Sequence, residues 1–230
     1  MFLIGGGRDP EGVRIAHRPF VRACGGGRIA MVMLDEGDGV DEARWLDVLL
    51  EAGAYDLTAV VIGEERPPEP GALLGFAGVF VSGGLTPLYR ELLVELYPDW
   101  IPEGLDDGAV YGGFSAGAAI AATRALVGGW QVERGELQVQ VCPEEASEDL
   151  ELVTVLPGLG LVPFTVEVHA SQWGTLTRLL HAVARGEAPE GVAIDEHTCV
   201  EVTREGELVV HGLGTAYHVA GGGAVTLLAE

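Results

Sequence analysis

The stretch AVYGGFSAGAAIA, residues 109–121, decides the fold because it joins a strand pattern directly to a helix pattern. The apolar run Ala109–Phe114 predicts a buried strand, and the alanine-rich run Ala116–Leu126 predicts a helix. The turn between them contains GFSAG, a GxSxG motif that would push Ser115 out of the sheet in a strained conformation. A catalytic nucleophile and a helix-capping serine both fit this local pattern.

The segments on either side of this turn repeat the order of strand and helix. Short apolar runs alternate with helix-length amphipathic segments over the first 130 residues, which is typical of βαβ units around a mostly parallel sheet. We expect helices on both faces of that sheet and a single α/β domain over residues 1–230. The predicted strands are Phe2–Ile4, Ile29–Leu34, Leu57–Ile62, Gly78–Val81 and Ala109–Phe114, and the predicted helices are Val13–Cys24, Asp41–Ala52, Pro87–Tyr97 and Ala116–Leu126.

The second half of the chain shows a different pattern. Alternating apolar and polar residues between Trp130 and Val155 predict antiparallel strands added at an edge. A further helix is predicted over Gln172–Ala184, and glycine-punctuated strand regions follow at Gly191–Val202 and Leu208–Val219. The predicted class is therefore α/β with antiparallel strands added in the C-terminal part.

The charge balance excludes several classes of function. The chain has 35 acidic and 13 basic residues and a formal charge of −22, which repels nucleic acid and anionic membrane surfaces. Lysine does not occur in the sequence. This argues against a P-loop NTPase, a protein kinase and a Schiff-base enzyme, because each of them needs a lysine amine. We expect neither nucleic acid nor membrane as a partner, and an isologous homodimer is the expected assembly.

The cysteines and the lengths of the apolar segments predict a cytoplasmic protein. Cys24, Cys142 and Cys199 are odd in number and widely spaced, so neither a disulfide framework nor a cysteine-rich zinc site is expected. The apolar run Met1–Ile4 is too short for a signal peptide, and no apolar stretch reaches 18 residues. We therefore expect three buried thiols in a protein that does not span a membrane.

A nucleophilic serine needs a base, and six histidines are available. His169 directly follows the apolar run from Leu161 to Val168, just before a predicted helix, as a residue at the carboxyl edge of a strand would. Functional sites of open α/β sheets collect at that edge. The alternative is a strand-end histidine that forms hydrogen bonds with nearby backbone.

Several short motifs occur in a characteristic order along the chain. They are Ile4–Gly7 with Asp9, Ser82–Gly84, Gly113–Ala118, Gly158–Leu161, Glu167–His169, Arg178–Leu179 and Gly191–Thr198. In this order they resemble the serine-peptidase family of cyanophycinase and aspartyl dipeptidase. That family is similar to class I glutamine amidotransferase domains but has serine at the nucleophile elbow. The resemblance covers nearly the whole chain and implies a flavodoxin-like fold of the amidotransferase type.

The resemblance also implies roles for individual residues. Ser115 would be the nucleophile and His169 its general base, in an acyl transfer that requires no cofactor and no metal. The amides of Ala116 and of Gly84 would form the oxyanion hole. The implied partner is a small peptide substrate that contains an aspartyl or related group.

In cyanophycinase-like relatives, an acidic residue shortly after the elbow orients the catalytic histidine. By spacing, Glu133 is the best match in this chain, and Glu136 is a close rival. Both could instead be ordinary exposed glutamates of a strand, which is the commoner state of this residue. The resemblance therefore implies Glu133 as the third catalytic residue.

The implied substrate pocket is where this chain departs from the family. Glu167 stands where many relatives have aspartate two residues before the histidine, and Leu85 stands where relatives often have an amide or acidic side chain. An aspartyl substrate needs a guanidinium to pair with its carboxylate, and Arg178, Arg8 and Arg90 are the candidates. Surface or packing roles are the alternative for each arginine. Arg178, Leu85 and Glu167 are therefore the expected substrate-binding residues.

Two other functions fit parts of the same sequence. A non-catalytic amidotransferase-like module would bind a ligand or a partner through the same crevice, although the presence of both Ser115 and His169 favours catalysis. A general α/β-hydrolase esterase would take its base late in the chain, from His211 or His218. The absence of an HGGG-type loop from the sequence argues against the esterase.

Overall fold

Strands and helices alternate through the first half of the chain, and mainly antiparallel strands follow. This computed structural model describes residues 1–106 and 108–228. The strands are β1 (Phe2–Ile4), β2 (Ile29–Asp35), β3 (Leu57–Gly63), β4 (Gly78–Val81), β5 (Val110–Phe114), β6 (Arg124–Gly128), β7 (Gln131–Arg134), β8 (Leu137–Gln140), β9 (Thr154–Pro157), β10 (Thr165–Val168), β11 (Gly191–Ile194), β12 (Thr198–Val202), β13 (Leu208–Gly212), β14 (Ala216–Val219) and β15 (Val225–Leu228). The helices are α1 (Pro10–Ala23), α2 (Glu42–Glu51), α3 (Thr86–Arg90), α4 (Trp100–Leu105), α5 (Ala116–Ile120) and α6 (Leu176–Ala184), with a π-helical segment at Glu91–Leu96 and a 3-10 turn at Glu144–Ala146.

A seven-stranded sheet forms the centre of the fold, with strands in the order β13-β12-β1-β5-β4-β2-β3. The five strands from β1 to β3 in this order are parallel, and β12 and β13 are added antiparallel at one edge. A second sheet, β10-β11-β14-β15, begins with a parallel pair and continues with antiparallel strands. The predicted mostly parallel sheet with added antiparallel strands is therefore confirmed.

Helices cover both faces of the central sheet, as predicted. Successive residues of a strand point to opposite faces, and β2 shows which helices lie on each side. Met31 packs in one buried cluster with Phe20 of α1, whereas its neighbour Val32 belongs to a second cluster with Tyr89 of α3 and Ile120 of α5. The sheet is thus apolar on both sides, which explains why its strands are continuous hydrophobic runs.

Helices α1 and α2 both begin at aspartate caps. Asp9 Oδ1 accepts a hydrogen bond from the Gly12 amide at 3.0 Å, and Asp41 Oδ1 accepts one from the Arg44 amide at 3.1 Å. Pro10 fits the first turn of α1 because that position needs no amide donor. These caps begin the two helices soon after β1 and β2 end, at the carboxyl edge of the parallel strands.

Several predicted elements differ from the structure. The helix predicted over Gln172–Ala184 begins only at Leu176. The helix predicted over Ala116–Leu126 ends at Ile120, because residues from Arg124 onward pair with β9, and the side chains of Ala125–Val127 are buried in that sheet.

The edge strands predicted between Trp130 and Val155 include β7 and β8, which form a separate two-stranded sheet. The strand region predicted over Gly191–Val202 is two strands in different sheets, joined by the turn 195–197, and the region predicted over Leu208–Val219 is likewise divided between two sheets. Alternation of apolar residues cannot show where a chain leaves one sheet for another, so the differences in the strand regions involve sheet pairing.

The three cysteines are buried, as expected. Cys24, Cys142 and Cys199 are unpaired and buried, and burial raises the pKa of the Cys24 thiol to about 12. Within residues 1–106 and 108–228, no helix has both the length and the apolar character that a membrane span requires.

Candidate active site

Ser115 lies on the turn between β5 and α5, where the GxSxG motif predicts it. Its backbone has φ 51° and ψ −112°, an unfavourable conformation for a residue with a Cβ. The flanking glycines make this turn sterically possible. A Cβ at Gly113 would lie 2.4 Å from the Gly117 carbonyl oxygen, and a Cβ at Gly117 would lie 2.2 Å from the Val81 carbonyl oxygen. Larger residues at these positions would force the turn open and displace Ser115.

The structure brings Ser115 and His169 together from two different sheets. Ser115 Oγ lies 2.9 Å from His169 Nε2. His169 directly follows β10, is 8% exposed and has a positive φ of 55°. Its amide donates a hydrogen bond to the Gly5 carbonyl at 2.8 Å, which ties the end of β10 to the end of β1. The predicted pair therefore has hydrogen-bonding geometry.

The carboxylate beside His169 belongs to Glu196, which corrects the expectation from spacing. His169 Nδ1 lies 2.8 Å from Glu196 Oε1, on the turn between β11 and β12. The prediction that Glu133 or Glu136 orients His169 is wrong. Glu133 is exposed on β7, where its carbonyl accepts a hydrogen bond from the Arg185 guanidinium at 2.9 Å, and Glu136 is exposed in the turn before β8.

The pairing of β10 with β11 explains why Glu196 and His169 meet. The two strands are parallel, and Val168 is the register partner of Ile194. The residues that follow these strands therefore emerge side by side, with His169 after one strand and Glu196 two residues after the end of the other. The sequence does contain a signal for Glu196. It is the polar run of residues 195–197, which belongs to the Gly191–Thr198 motif and separates two apolar segments.

Residues directly after His169 hold the turn that carries Glu196. The Glu196 amide donates to Gln172 Oε1 at 2.9 Å, and the Ser171 amide donates to Asp195 Oδ1 at 2.9 Å. These two contacts join the turn after His169 to the turn that carries Glu196, next to the His169–Glu196 hydrogen bond. Support of this kind fixes the position of the carboxylate relative to the imidazole.

The glycine run after β1 accommodates two imidazole rings. A Cβ at Gly6 would lie 2.1 Å from His169 Cε1, and a Cβ at Gly7 would lie 2.3 Å from His197 Nε2. The Asp9 amide donates a hydrogen bond to His197 Nε2 at 3.1 Å. Only glycine leaves room for both rings, so the run lets His169 pack directly against the backbone.

Burial controls the protonation of the imidazole. It lowers the pKa of His169 below the ordinary value of 6.5, and the hydrogen bond and negative charge of Glu196 oppose this shift. The ring is therefore neutral at neutral pH. With its proton on Nδ1 facing Glu196, Nε2 is free to accept the proton of Ser115.

The predicted oxyanion donors lie near Ser115. Ala116 is the first residue of α5, where amides have no acceptor within the helix. The Gly83–Gly84 turn lines the same cavity as Ser115. This arrangement is compatible with an oxyanion hole formed by the amides of Ala116 and Gly84, and that role stays a prediction.

A cavity of about 1190 Å³ opens beside Ser115 and carries mostly negative charge. Trp45, Phe114 and Trp173 supply aromatic surface, and Arg8 and Arg44 are the cations on its wall. The carboxylates that line it are those of Glu36, Asp38, Asp41, Asp47, Glu51, Glu148 and Glu196. The wall therefore offers few positions for an anionic group and many for a cationic one.

The three predicted substrate-binding residues do not belong to the described lining of this cavity. Arg178 and Glu167 form a two-pronged ion pair, with Nε to Oε2 at 2.8 Å and Nη2 to Oε1 at 2.9 Å, and they are only 4% and 1% exposed. Leu85 is half-buried, and its amide donates to Glu36 Oε1 at 2.8 Å. The prediction that Arg178 and Glu167 contact substrate is therefore wrong, because the two buried side chains form an ion pair with each other and neither lines the cavity.

The same ion pair joins several segments around the site. Arg178 Nη1 donates to the Gly129 carbonyl at 3.1 Å and also to the Ala146 carbonyl, while Glu167 Oε1 accepts from the Val168 amide at 3.0 Å. The pair thus links α6 to β10, which ends next to His169, and to the segment that leads to Glu148 on the cavity wall.

Replacement of Arg178 by methionine is expected to destabilise the protein by about 3–5 kcal/mol. The substitution leaves the carboxylate of Glu167 buried without a charged partner, which costs more than a surface ion pair contributes. Urea denaturation of the variant measures the loss. The matched control is Arg185→Met, which breaks the partly exposed pair with Glu187 and should cost about 1 kcal/mol or less. Equal stability of Arg178→Met and the wild type would contradict the structural role.

Comparison with known proteins agrees with this fold and extends over nearly the whole chain. No protein-family model matches the chain. It is 26% identical to a cyanophycinase of Synechococcus elongatus over 230 residues, which cover 94% of this chain and 66% of that protein, just under two thirds of its length.

Two solved structures share the fold at low sequence identity. One is a peptidase from an acI-B1 actinobacterium, with a TM-score of 0.72, 15% identity, and coverage of 99% of this chain and 92% of the other. The second is a candidate peptidase E protein from Listeria monocytogenes EGD-e, with a TM-score of 0.59, 16% identity, and coverage of 93% and 98%. The chain is therefore similar in sequence to cyanophycinases and similar in fold to these two solved structures.

Proposed function

We propose that this protein is a serine-type peptidase that hydrolyses small aspartyl-containing or related peptides through an acyl-enzyme on Ser115. The observation that carries the proposal is the hydrogen-bonded chain from Ser115 Oγ to His169 Nε2 and from His169 Nδ1 to Glu196. A serine, an imidazole and a carboxylate in this order activate the hydroxyl for attack on a carbonyl. The similarity to cyanophycinases and to solved peptidases agrees with the same activity.

In the first half of the proposed reaction, Ser115 Oγ attacks the scissile carbonyl carbon while His169 Nε2 takes the hydroxyl proton. Glu196 accepts the hydrogen bond from Nδ1 and stabilises the imidazolium that forms. The carbonyl oxygen becomes an oxyanion beside the amides of Ala116 and Gly84. His169 then gives its proton to the leaving amine, the C–N bond breaks, and the acyl group stays on Ser115.

Water completes the cycle by the same proton path. His169 takes a proton from a water molecule as the water oxygen attacks the acyl carbon, and a second oxyanion forms in the same place. The imidazolium returns its proton to Ser115 Oγ as the ester bond breaks. The acid product leaves, and the neutral imidazole is restored for the next cycle.

The contacts of the arginines narrow the choice of a guanidinium group that could pair with the carboxylate of an aspartyl substrate. Arg178 is paired with Glu167, and Arg90 donates to the Pro157 carbonyl at 3.1 Å and pairs with Glu95. Arg8 and Arg44 instead line the cavity. We propose that one of these two guanidinium groups pairs with the carboxylate of the substrate.

The proposal includes a cytoplasmic location. Three unpaired, buried cysteines suit a reducing compartment, where disulfides are rare. The small-peptide partner and the homodimer stay predictions.

A dipeptide library with α-aspartyl, β-aspartyl and non-aspartyl members, followed by mass spectrometry, tests the function. We expect cleavage of aspartyl members by the wild type and no cleavage by Ser115→Ala. Cleavage confined to non-aspartyl members would overturn the substrate class and leave the mechanism intact. A protein that cleaves no member, and whose Ser115 does not react with an acylating probe, would contradict the peptidase itself.

The activity is expected to survive moderate acidification. The general base works as the neutral imidazole, so kcat/KM falls only as the pH drops through the lowered pKa of His169. The midpoint of the acidic limb should therefore lie below the ordinary histidine value of 6.5. A pH profile of kcat/KM for the best dipeptide measures this midpoint, and a value above about 7 would contradict the assignment of His169 as a buried base.

A further inference from the structure

A partly exposed tryptophan lies face to face on the imidazole of His169. The ring centroids of Trp173 and His169 are 4.0 Å apart, and the ring planes differ by 12°. Trp173 is 42% exposed and lines the cavity, whereas His169 is 8% exposed. The indole thus covers one face of the imidazole and keeps part of its own surface in contact with solvent.

The backbone between the two residues sets this stacking. The Trp173 amide donates a hydrogen bond to the His169 carbonyl at 2.9 Å, which closes a short turn between them. His169 enters that turn with φ 55°. Both rings therefore leave a single tight turn, and their relative orientation does not depend on long, flexible side chains.

The other contacts of the imidazole involve single ring atoms, whereas Trp173 stacks on the whole face of the ring. Glu196 is hydrogen-bonded to Nδ1, Ser115 to Nε2, and the Gly6 backbone lies close to Cε1. Two hydrogen bonds in the ring plane oppose tilting of the ring far less than an aromatic ring stacked on its face does. The Trp173 indole supplies that restraint, and orientation of a reacting group contributes strongly to catalysis.

We propose that Trp173 is a positioning residue for the general base, whose indole fixes the plane of the His169 ring and stabilises its protonated form by cation–π stacking. The inference rests on the proposed function. The imidazolium exists between the attack of Ser115 and the protonation of the leaving amine, and an indole face is the strongest aromatic partner for a cation. Trp173 therefore acts when charge develops on His169, in addition to covering the ring.

The charges that act on His169 belong to three residues. Glu196 lies on the turn after β11, Glu167 on β10 and Arg178 on α6, and all three remain when Trp173 is replaced. Arg8, which directly follows the glycine run after β1, lines the same cavity. A change in the titration of His169 on replacement of Trp173 therefore reports the loss of the indole.

Trp173→Leu and Trp173→Phe separate the aromatic face from apolar cover. Leucine still covers the imidazole with apolar surface but has no π face, so the protonated state loses its partner. We expect kcat to fall about tenfold with KM within about twofold, and the acidic limb of kcat/KM to move to lower pH by about half a unit. Phenylalanine keeps a stacked ring and should recover most of both properties.

An NMR titration of the His169 ring makes the test independent of turnover. The midpoint should move to lower pH in Trp173→Leu, stay near the wild-type value in Trp173→Phe, and stay unchanged in Trp45→Leu, which removes another cavity tryptophan that packs on Phe114. Thermal unfolding checks that each variant is folded. An unchanged midpoint and an unchanged kcat in folded Trp173→Leu would overturn the proposal, as would a rise in KM alone. Failure of the wild type to cleave peptides would count against the proposed function. The titration would then still decide whether Trp173 stabilises the protonated form of His169.

Discussion

Replacement of Ser115 by alanine is expected to lower kcat for dipeptide hydrolysis by at least about 10⁴-fold. The substitution removes the oxygen that lies 2.9 Å from His169 Nε2, so no acyl-enzyme can form. The walls of the cavity are unchanged, and KM should therefore stay within about twofold. Steady-state kinetics with the best dipeptide of the library measure both constants.

Ser171→Ala is the matched control for this prediction. Ser171 is exposed and lies two residues after His169, and its hydroxyl is hydrogen-bonded to the Tyr217 hydroxyl at 3.0 Å. The substitution keeps the Ser171 amide that supports Asp195, so kcat should stay near the wild-type value. Hydrolysis by Ser115→Ala at the wild-type rate would show that another group attacks the substrate.

Replacement of Glu196 by glutamine is expected to lower kcat about 10⁴-fold while the protein keeps its fold. Glutamine has nearly the same shape, but it carries no charge to stabilise the imidazolium. Its amide can also donate to Nδ1, which places the imidazole proton on Nε2 and blocks acceptance from Ser115. Kinetics and circular dichroism on the same preparation separate loss of chemistry from loss of structure.

Glu133→Gln is the matched variant that decides whether Glu133 or Glu196 orients His169. Glu133 is exposed on β7, and only its backbone carbonyl makes a described contact, with Arg185. The variant should keep kcat within about twofold of the wild type, because an exposed carboxylate away from the imidazole contributes little. Loss of activity in Glu133→Gln with full activity in Glu196→Gln would contradict the site described here.

The nucleophile turn and the parallel core could be predicted because their signals are local. Ser115 lies where an apolar strand meets an alanine-rich helix, and glycines two residues before and after it permit the turn. The strands β1, β2 and β4 are buried on both faces, so each appears as a short apolar run bounded by turns. The position of His169 after such a run was predictable for the same reason.

Glu196 could not be predicted in the same way because its position depends on pairing between distant strands. The register of Val168 with Ile194 brings the turn at 195–197 to His169, and that register is not visible in either strand alone. Arg178 was misassigned for a related reason. A lone arginine on a helix gives no sign that Glu167, eleven residues earlier, points into the same buried space and takes its charge.

Mass spectrometry after incubation with a fluorophosphonate tests most directly whether Ser115 is a nucleophile activated by His169. Peptide mapping should find one phosphonyl adduct on Ser115 in the wild type, none in Ser115→Ala, and much slower labelling in His169→Ala, because the hydroxyl then has no base. An adduct on another residue, or an unmodified Ser115 in a protein that cleaves dipeptides, would contradict the account.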